Sequence, residues 1–196
     1  MQPYQFEIDH LAAMDANAAE FRLEGEFEEN WDVRRRFASS LEPLLPSDAP
    51  IPLRFHRKTG RLGDFQMGDV SGTHLVSERF KAVVERFEPG AHLFYPVEIR
   101  TKAGDLLSEP RYLFKVGVLL DNAYDETRTA IGMLMPNRIS LDDPEHIFVW
   151  RRAAIEGHHL WSDTRLNYGY YCSGEFRDAV LNEKLKWFKW RADEVI

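Results

Sequence analysis

The stretch Gly157-His158-His159-Leu160-Trp161-Ser162-Asp163 gathers two imidazoles between the carboxylates of Glu156 and Asp163. Imidazole and carboxylate groups hold divalent metals and move protons. The spacing argues against a metal. Neighbouring side chains in a strand leave opposite faces, so the two rings diverge. Zinc sites draw on ligand pairs a few residues apart, and His158 and His159 are adjacent. No metal and no cofactor is expected. What this stretch could still offer is a pocket assembled by the fold from His158, His159, Asp163 and the tyrosines Tyr168, Tyr170 and Tyr171. An enzyme or small-ligand protein built on that pocket is the alternative reading of the chain.

Nucleophiles fare no better. Cys172 precedes a serine that can start a helix, and a helix N-terminus depresses a thiol pKa. Its counterpart in a related stretch is Val76, which points to a small apolar slot instead. Ser77 and Ser173 suit helix caps, since no Gly-x-Ser-x-Gly elbow surrounds either. Asp64, Asp121 and the pair Asp142-Asp143 have no spacing that couples them, and neither a phosphate loop nor a dinucleotide fingerprint occurs. Arg54, His56, Arg57, Lys58 and Arg61 cluster around Thr59-Gly60. Without an aromatic ladder or a glycine-rich cradle they read as an exposed turn, not a nucleic-acid site. No catalytic residue is assigned.

The elements that would position these groups come in a repeated form. Val76-Ser77-Glu78-Arg79-Phe80-Lys81-Ala82-Val83-Val84 is echoed by Cys172-Ser173-Gly174-Glu175-Phe176-Arg177-Asp178-Ala179-Val180. In each, a strand-like run leads to a serine cap, then a helix, then an aromatic strand. In the first copy Phe80, Val83, Val84 and Phe87 form an apolar stripe at helical spacing, and Pro89-Gly90 ends it. Leu93 to Ile99 reads as a strand that Pro96 places at a sheet edge or makes begin late. Arg111 to Leu120 reads as the longest strand and an interior one. His146 to Trp150, His159 to Trp161, Tyr170 to Cys172 and Trp187 to Trp190 are shorter strands. Residues 9–23 carry a loose helical spacing, and Trp31 to Leu41 a tighter one through Val33, Phe37 and Leu41. Pro43, Pro46, Pro50 and Pro52 then exclude a continuing helix. The sum is an α+β fold, mainly antiparallel sheet with several helices, in a single domain spanning 1–196. Residues 1–50 form an acidic cap joined by a proline-rich connector at 43–52.

The 196 residues suffice for one large domain that needs neither disulfide nor metal to fold. With 44% hydrophobic and 29% charged residues the chain is not a disordered polymer. A single cysteine excludes an internal disulfide and fits a reducing compartment. The N-terminus has no signal-peptide pattern and no run is long enough to cross a bilayer, so a cytoplasmic protein is expected. The net charge of -7 is unevenly placed: residues 1–50 hold 11 acidic and 4 basic side chains, and the remainder balances at 21 each. Such a patch repels nucleic acid and membrane surfaces and steers basic partners. Its plainer reading is a solvated acidic surface.

The stretches Leu75 to Phe80, Phe94 to Glu98, Tyr112 to Val118 with Asp121, His159-Leu160-Trp161, and the helix Ser173 to Val180 with its aromatic strand resemble a bacterial family. It was once known as a domain of unknown function and later described as an immunity-protein family of polymorphic toxin systems. The resemblance covers residues 64–190. Asn182-Glu183-Lys184-Leu185-Lys186 departs from it by lacking a glycine turn. What the resemblance implies is a small, non-catalytic cytoplasmic protein that binds and neutralises a cognate toxin. The acidic quarter favours a basic toxin as partner, and Glu24, Glu26, Glu28, Glu29 and Asp32 with Trp31 as aromatic anchor are the candidate contacts.

Overall fold

A computed structural model describes residues 1–9, 12–13, 21–23, 50–55, 61–67, 74–129, 148–165 and 169–196. The elements are β1 (Pro3–Ile8), β2 (Phe21–Leu23), β3 (Ile51–Phe55), β4 (Phe65–Met67), β5 (His74–Ser77), α1 (Glu78–Phe87), β6 (Leu93–Arg100), β7 (Arg111–Lys115) and β8 (Leu119–Leu120). They continue with β9 (Val149–Trp150), α2 (Arg152–Ile155), β10 (Leu160–Asp163), β11 (Tyr170–Ser173), α3 (Gly174–Asn182), β12 (Phe188–Ala192) and β13 (Glu194–Val195). The architecture is sheet-rich with a few helices, an α+β arrangement. No described helix is long and apolar enough to cross a membrane.

Two mixed sheets carry the fold. One runs β2-β3-β6-β7-β5-β4 and the other β12-β1-β11-β10-β8, with a short β13-β9 pair beside them. Most pairings are antiparallel; β3 with β6, β8 with β10 and β9 with β13 are parallel. The largest core cluster lies between the two sheets. Phe65, Val76 and Phe114 enter it from one, Phe6, Leu160 and Cys172 from the other, and Phe80 and Phe176 from the helices. A second cluster backs the first sheet around Ile51, Leu53 and Leu113. A third gathers Phe148, Trp150, Trp161 and Tyr171.

Both long helices start as their sequences predict. Ser77 Oγ accepts the Phe80 N–H at 3.1 Å, and Ser173 Oγ accepts the Phe176 N–H at 3.2 Å. Each serine satisfies one of the donors that a helix start leaves free. The predicted stripe on α1 is buried at Phe80, Val83 and Val84. Helix α3 ends in a Schellman turn, in which Leu185 N–H reaches Val180 O and Lys184 N–H reaches Leu181 O. Lys184 takes φ 53°, the conformation that glycine usually supplies, and this is the turn whose missing glycine the sequence flagged.

Three expectations are corrected and one strand is added. Strand β6 is interior, between β3 and β7, although it contains Pro96. Pairing with β3 begins only at Val97, so Pro96 stands where the outer side of the strand is still uncovered. The strand from Arg111 stops at Lys115, because at Gly117 the chain passes so close to the Ala91 carbonyl that a Cβ would lie 2.0 Å from its oxygen. Phe21–Leu23, read within a helical spacing, is a strand on β3. The first residues, assigned no element, form β1, held between β11 and β12 in the middle of a sheet. The helix expected over Trp31 to Leu41 lies outside the described residues, as do His56 to Gly60 and residues 43–49 of the connector.

Candidate functional site

A partly buried polar assembly forms at the seam where the end of α1 meets the start of β10. Glu88 follows the last turn of α1, where the helix dipole disfavours an anion. Outside donors reverse that penalty. Glu88 Oε1 accepts the His159 N–H at 2.9 Å, Oε2 accepts the Leu160 N–H at 3.0 Å, and His92 Nε2 lies 2.7 Å from Oε2. Burial alone would push the Glu88 carboxyl up, but the hydrogen bonds from His92, His159 and Leu160 outweigh it and hold it below its ordinary value. His92 is enclosed, and its Nδ1 receives the Gly117 N–H at 3.2 Å. A backbone N–H can only donate, so Nδ1 is the acceptor and Nε2 carries the hydrogen given to Glu88.

His159 turns its ring to Ser173, with Nδ1 3.0 Å from Oγ, while Glu175 lies 3.8 Å from the same nitrogen. A nucleophile–base–acid relay needs the serine and the carboxylate on opposite ring nitrogens. Here both face Nδ1, and Ser173 is fully buried as a cap. His158 is half exposed, 3.8 Å from Glu88 Oε1. Asp163 is occupied elsewhere: Oδ2 accepts the Ala123 N–H and Oδ1 the Arg165 N–H, each at 2.9 Å. Tyr170 and Tyr171 diverge, Tyr170 toward His74 and Phe6, Tyr171 toward Trp150 and Phe148. His158, His159 and Asp163 are therefore near in sequence and separate in their partners. Tyr168 lies outside the described residues. Among the described residues no His, Cys, Asp and Glu group has the geometry to hold a metal ion.

Cys172 sits wholly inside the core, and desolvation drives its thiol pKa well above the ordinary value, the reverse of an activated nucleophile. Asp64 is also structural. Its Oδ1 accepts the Ser77 hydroxyl at 2.7 Å and its Oδ2 the Lys186 N–H at 2.9 Å. The candidate contacts Glu24, Glu26, Glu28, Glu29, Trp31 and Asp32 all lie outside the described residues. Sequence reasoning missed Glu88. Its signal was a carboxylate at the wrong end of a helix, just before Pro89, which implies donors from elsewhere in the fold.

What the seam can do chemically is join two sheets through satisfied polar groups. Comparison with curated proteins gives no match. The model of the immunity protein family Imm11 matches residues 12–194, nearly the whole chain, and the protein belongs to that family.

Proposed function

We propose that this immunity protein binds a cognate bacterial toxin in the cytoplasm and blocks it by occlusion, with no catalysis of its own. Family membership over residues 12–194 is the observation that carries the reading. The seam around Glu88 supports it, since the Glu88 carboxylate, His92 and the His159 and Leu160 N–H groups are engaged in holding the fold. The partner surface is assigned to the acidic quarter. Glu24, Glu26, Glu28, Glu29 and Asp32 lie in the chain between β2 and β3, with Trp31 among them as anchor. A basic toxin would be drawn to this charge and held by it. The chain is read as one domain, 1–196, with residues 1–50 as an acidic N-terminal cap region that β1 and β2 fasten to the sheets and the proline-rich 43–52 connector joins to the rest. The two Ser-capped segments are read as copies of one strand–helix–strand unit, a reading that their matching caps support.

Affinity capture of the native protein identifies the toxin. Changing the five carboxylates to lysine is then expected to slow association by about tenfold or more at low salt, with far less effect at high salt. Association that ignores both salt and charge reversal overturns the electrostatic reading. Stoichiometric bound metal in the purified protein, lost in His159→Ala, would favour the pocket reading instead.

A further inference from the structure

The strand registers show a correspondence wider than the two Ser-capped segments. In one sheet β4 pairs with β5 through Phe65 and Val76; in the other β10 pairs with β11 through Leu160 and Cys172. After its helix each chain returns as a strand parallel to the first with one strand between: β6 beyond β7, and β12 beyond β1. A parallel strand then flanks the far end of each return, Leu53 opposite Ile99 and Trp150 opposite Val195. An antiparallel partner sits on that flank in both, Leu23 on Leu53 and Tyr124 on Trp150.

The intervening strands match residue for residue. Tyr112 and Phe114 of β7 face Val76 and His74, and Tyr4 and Phe6 of β1 face Cys172 and Tyr170. Lys81 lies 4.2 Å over the Tyr112 ring, and Arg177 lies 4.6 Å over Tyr4. Across the middle, corresponding residues touch each other, as they do beside a twofold axis. Phe80 meets Phe176 at 6.2 Å, and His74 Nδ1 meets the Tyr170 hydroxyl at 2.7 Å. The seams are reciprocal as well. Residues just past α1 hold the start of β10 through Glu88, and Lys186 just past α3 holds Asp64 at the start of β4.

In chain order β1 precedes β2 to β6, and β7 precedes Tyr124 and β9 to β13. Each first strand is seated in the sheet of the other set. We infer that the chain is a tandem pair of like repeats, residues 3–100 and 111–196, that have exchanged their first strands across an internal pseudo-twofold axis. It is built as an intertwined dimer whose two members are joined by residues 101–110. The inference goes beyond the toxin-blocking reading and does not depend on it.

A protease site inserted after Ala103, in the exposed turn at Thr101–Asp105, tests it in the full chain. After cleavage the pieces 1–103 and 104–196 are expected to remain one species at micromolar concentration. Their melting midpoint should rise with protein concentration, as for a bimolecular complex. Phe6→Ala in one piece and Phe114→Ala in the other should each weaken association by about 100-fold or more, within about tenfold of one another. Pieces that separate as folded monomers overturn the inference, and so does a cleaved chain that unfolds outright. A weakening confined to Phe114→Ala, with Phe6→Ala silent, also overturns it.

Discussion

Ser77 and Ser173 occupy equivalent corners and are held by different chemistry. At the first, Asp64 supplies both anchors: its backbone oxygen takes the Ser77 N–H at 3.1 Å and its carboxylate takes the hydroxyl. At the second, His159 does both, its backbone oxygen taking the Ser173 N–H at 3.0 Å and its Nδ1 facing the hydroxyl. The neighbouring charges swap too. Arg79 stands 3.9 Å from Asp64, and Glu175 stands 3.8 Å from His159. A cap hydroxyl therefore needs a hydrogen-bonding partner at that place, which a carboxylate supplies at one corner and an imidazole at the other. The His158-His159 pair that looked chemical is, at His159, the counterpart of a plainly structural aspartate.

The corners differ in how much hangs on them. Asp64 also receives the Lys186 N–H, whereas at the second corner that load passes to Glu88. Asp64→Ala is expected to cost about 2–4 kcal/mol in denaturant unfolding, because it strands buried donors. His159→Ala should cost only about 1–2 kcal/mol, since one cap bond loses a partner. Equal losses would break the comparison.

Acid should separate two buried carboxyls in opposite senses. Glu88 has a lowered pKa, so its contribution is present above its unfolded value of 4.5 and is lost as pH falls through its folded value. Asp193, at the end of the second sheet, is pushed up to about 6 by burial, against the Trp150 indole N–H and the Arg191 charge, which pull it down. Its contribution is present below 3.8 and is lost as pH rises through about 6. Asp193→Asn should flatten the stability profile between those limits, while Glu88→Gln should flatten it on the acid side. Chemical unfolding followed across pH checks both; an unchanged profile in either variant refutes that assignment.

The smallest effect concerns the ends of the two helices. Helix α3 closes on Lys184 at φ 53°, while the segment after α1 has Gly90 at φ 71°. Lys184→Gly should raise stability by about 0.5–1 kcal/mol, since it relieves a left-handed residue. Thermal melting with no gain would show that the lysine side chain compensates there.

How legible the fold was follows from the range of the forces involved. Ser77, Ser173 and the stripe Phe80, Val83, Val84 announce their helices because capping and periodicity act within a few residues. Strand β1 escaped notice because its burial comes from Tyr170, Phe176, Phe188 and Trp190, more than 160 residues away. Pro96 misled because the rule about prolines in sheets concerns one N–H, and here the neighbouring strand starts one residue later. The candidate site divides likewise. His159 was picked out by residue type, but its role needed Ser173 beside it, and Glu88 needed donors 71 and 72 residues away.

Where α3 gives way to β12, the indole of Trp187 packs against Gly63, so close that any Cβ there would fall 2.0 Å from a ring carbon. Substitution at 63 is thus closed for as long as 187 keeps its tryptophan. Evolutionary drift at the two positions should be concerted: relatives with a bulkier residue at the first are expected to carry a smaller one at the second, and a saturation screen should recover changes at 63 only in a background already altered at 187.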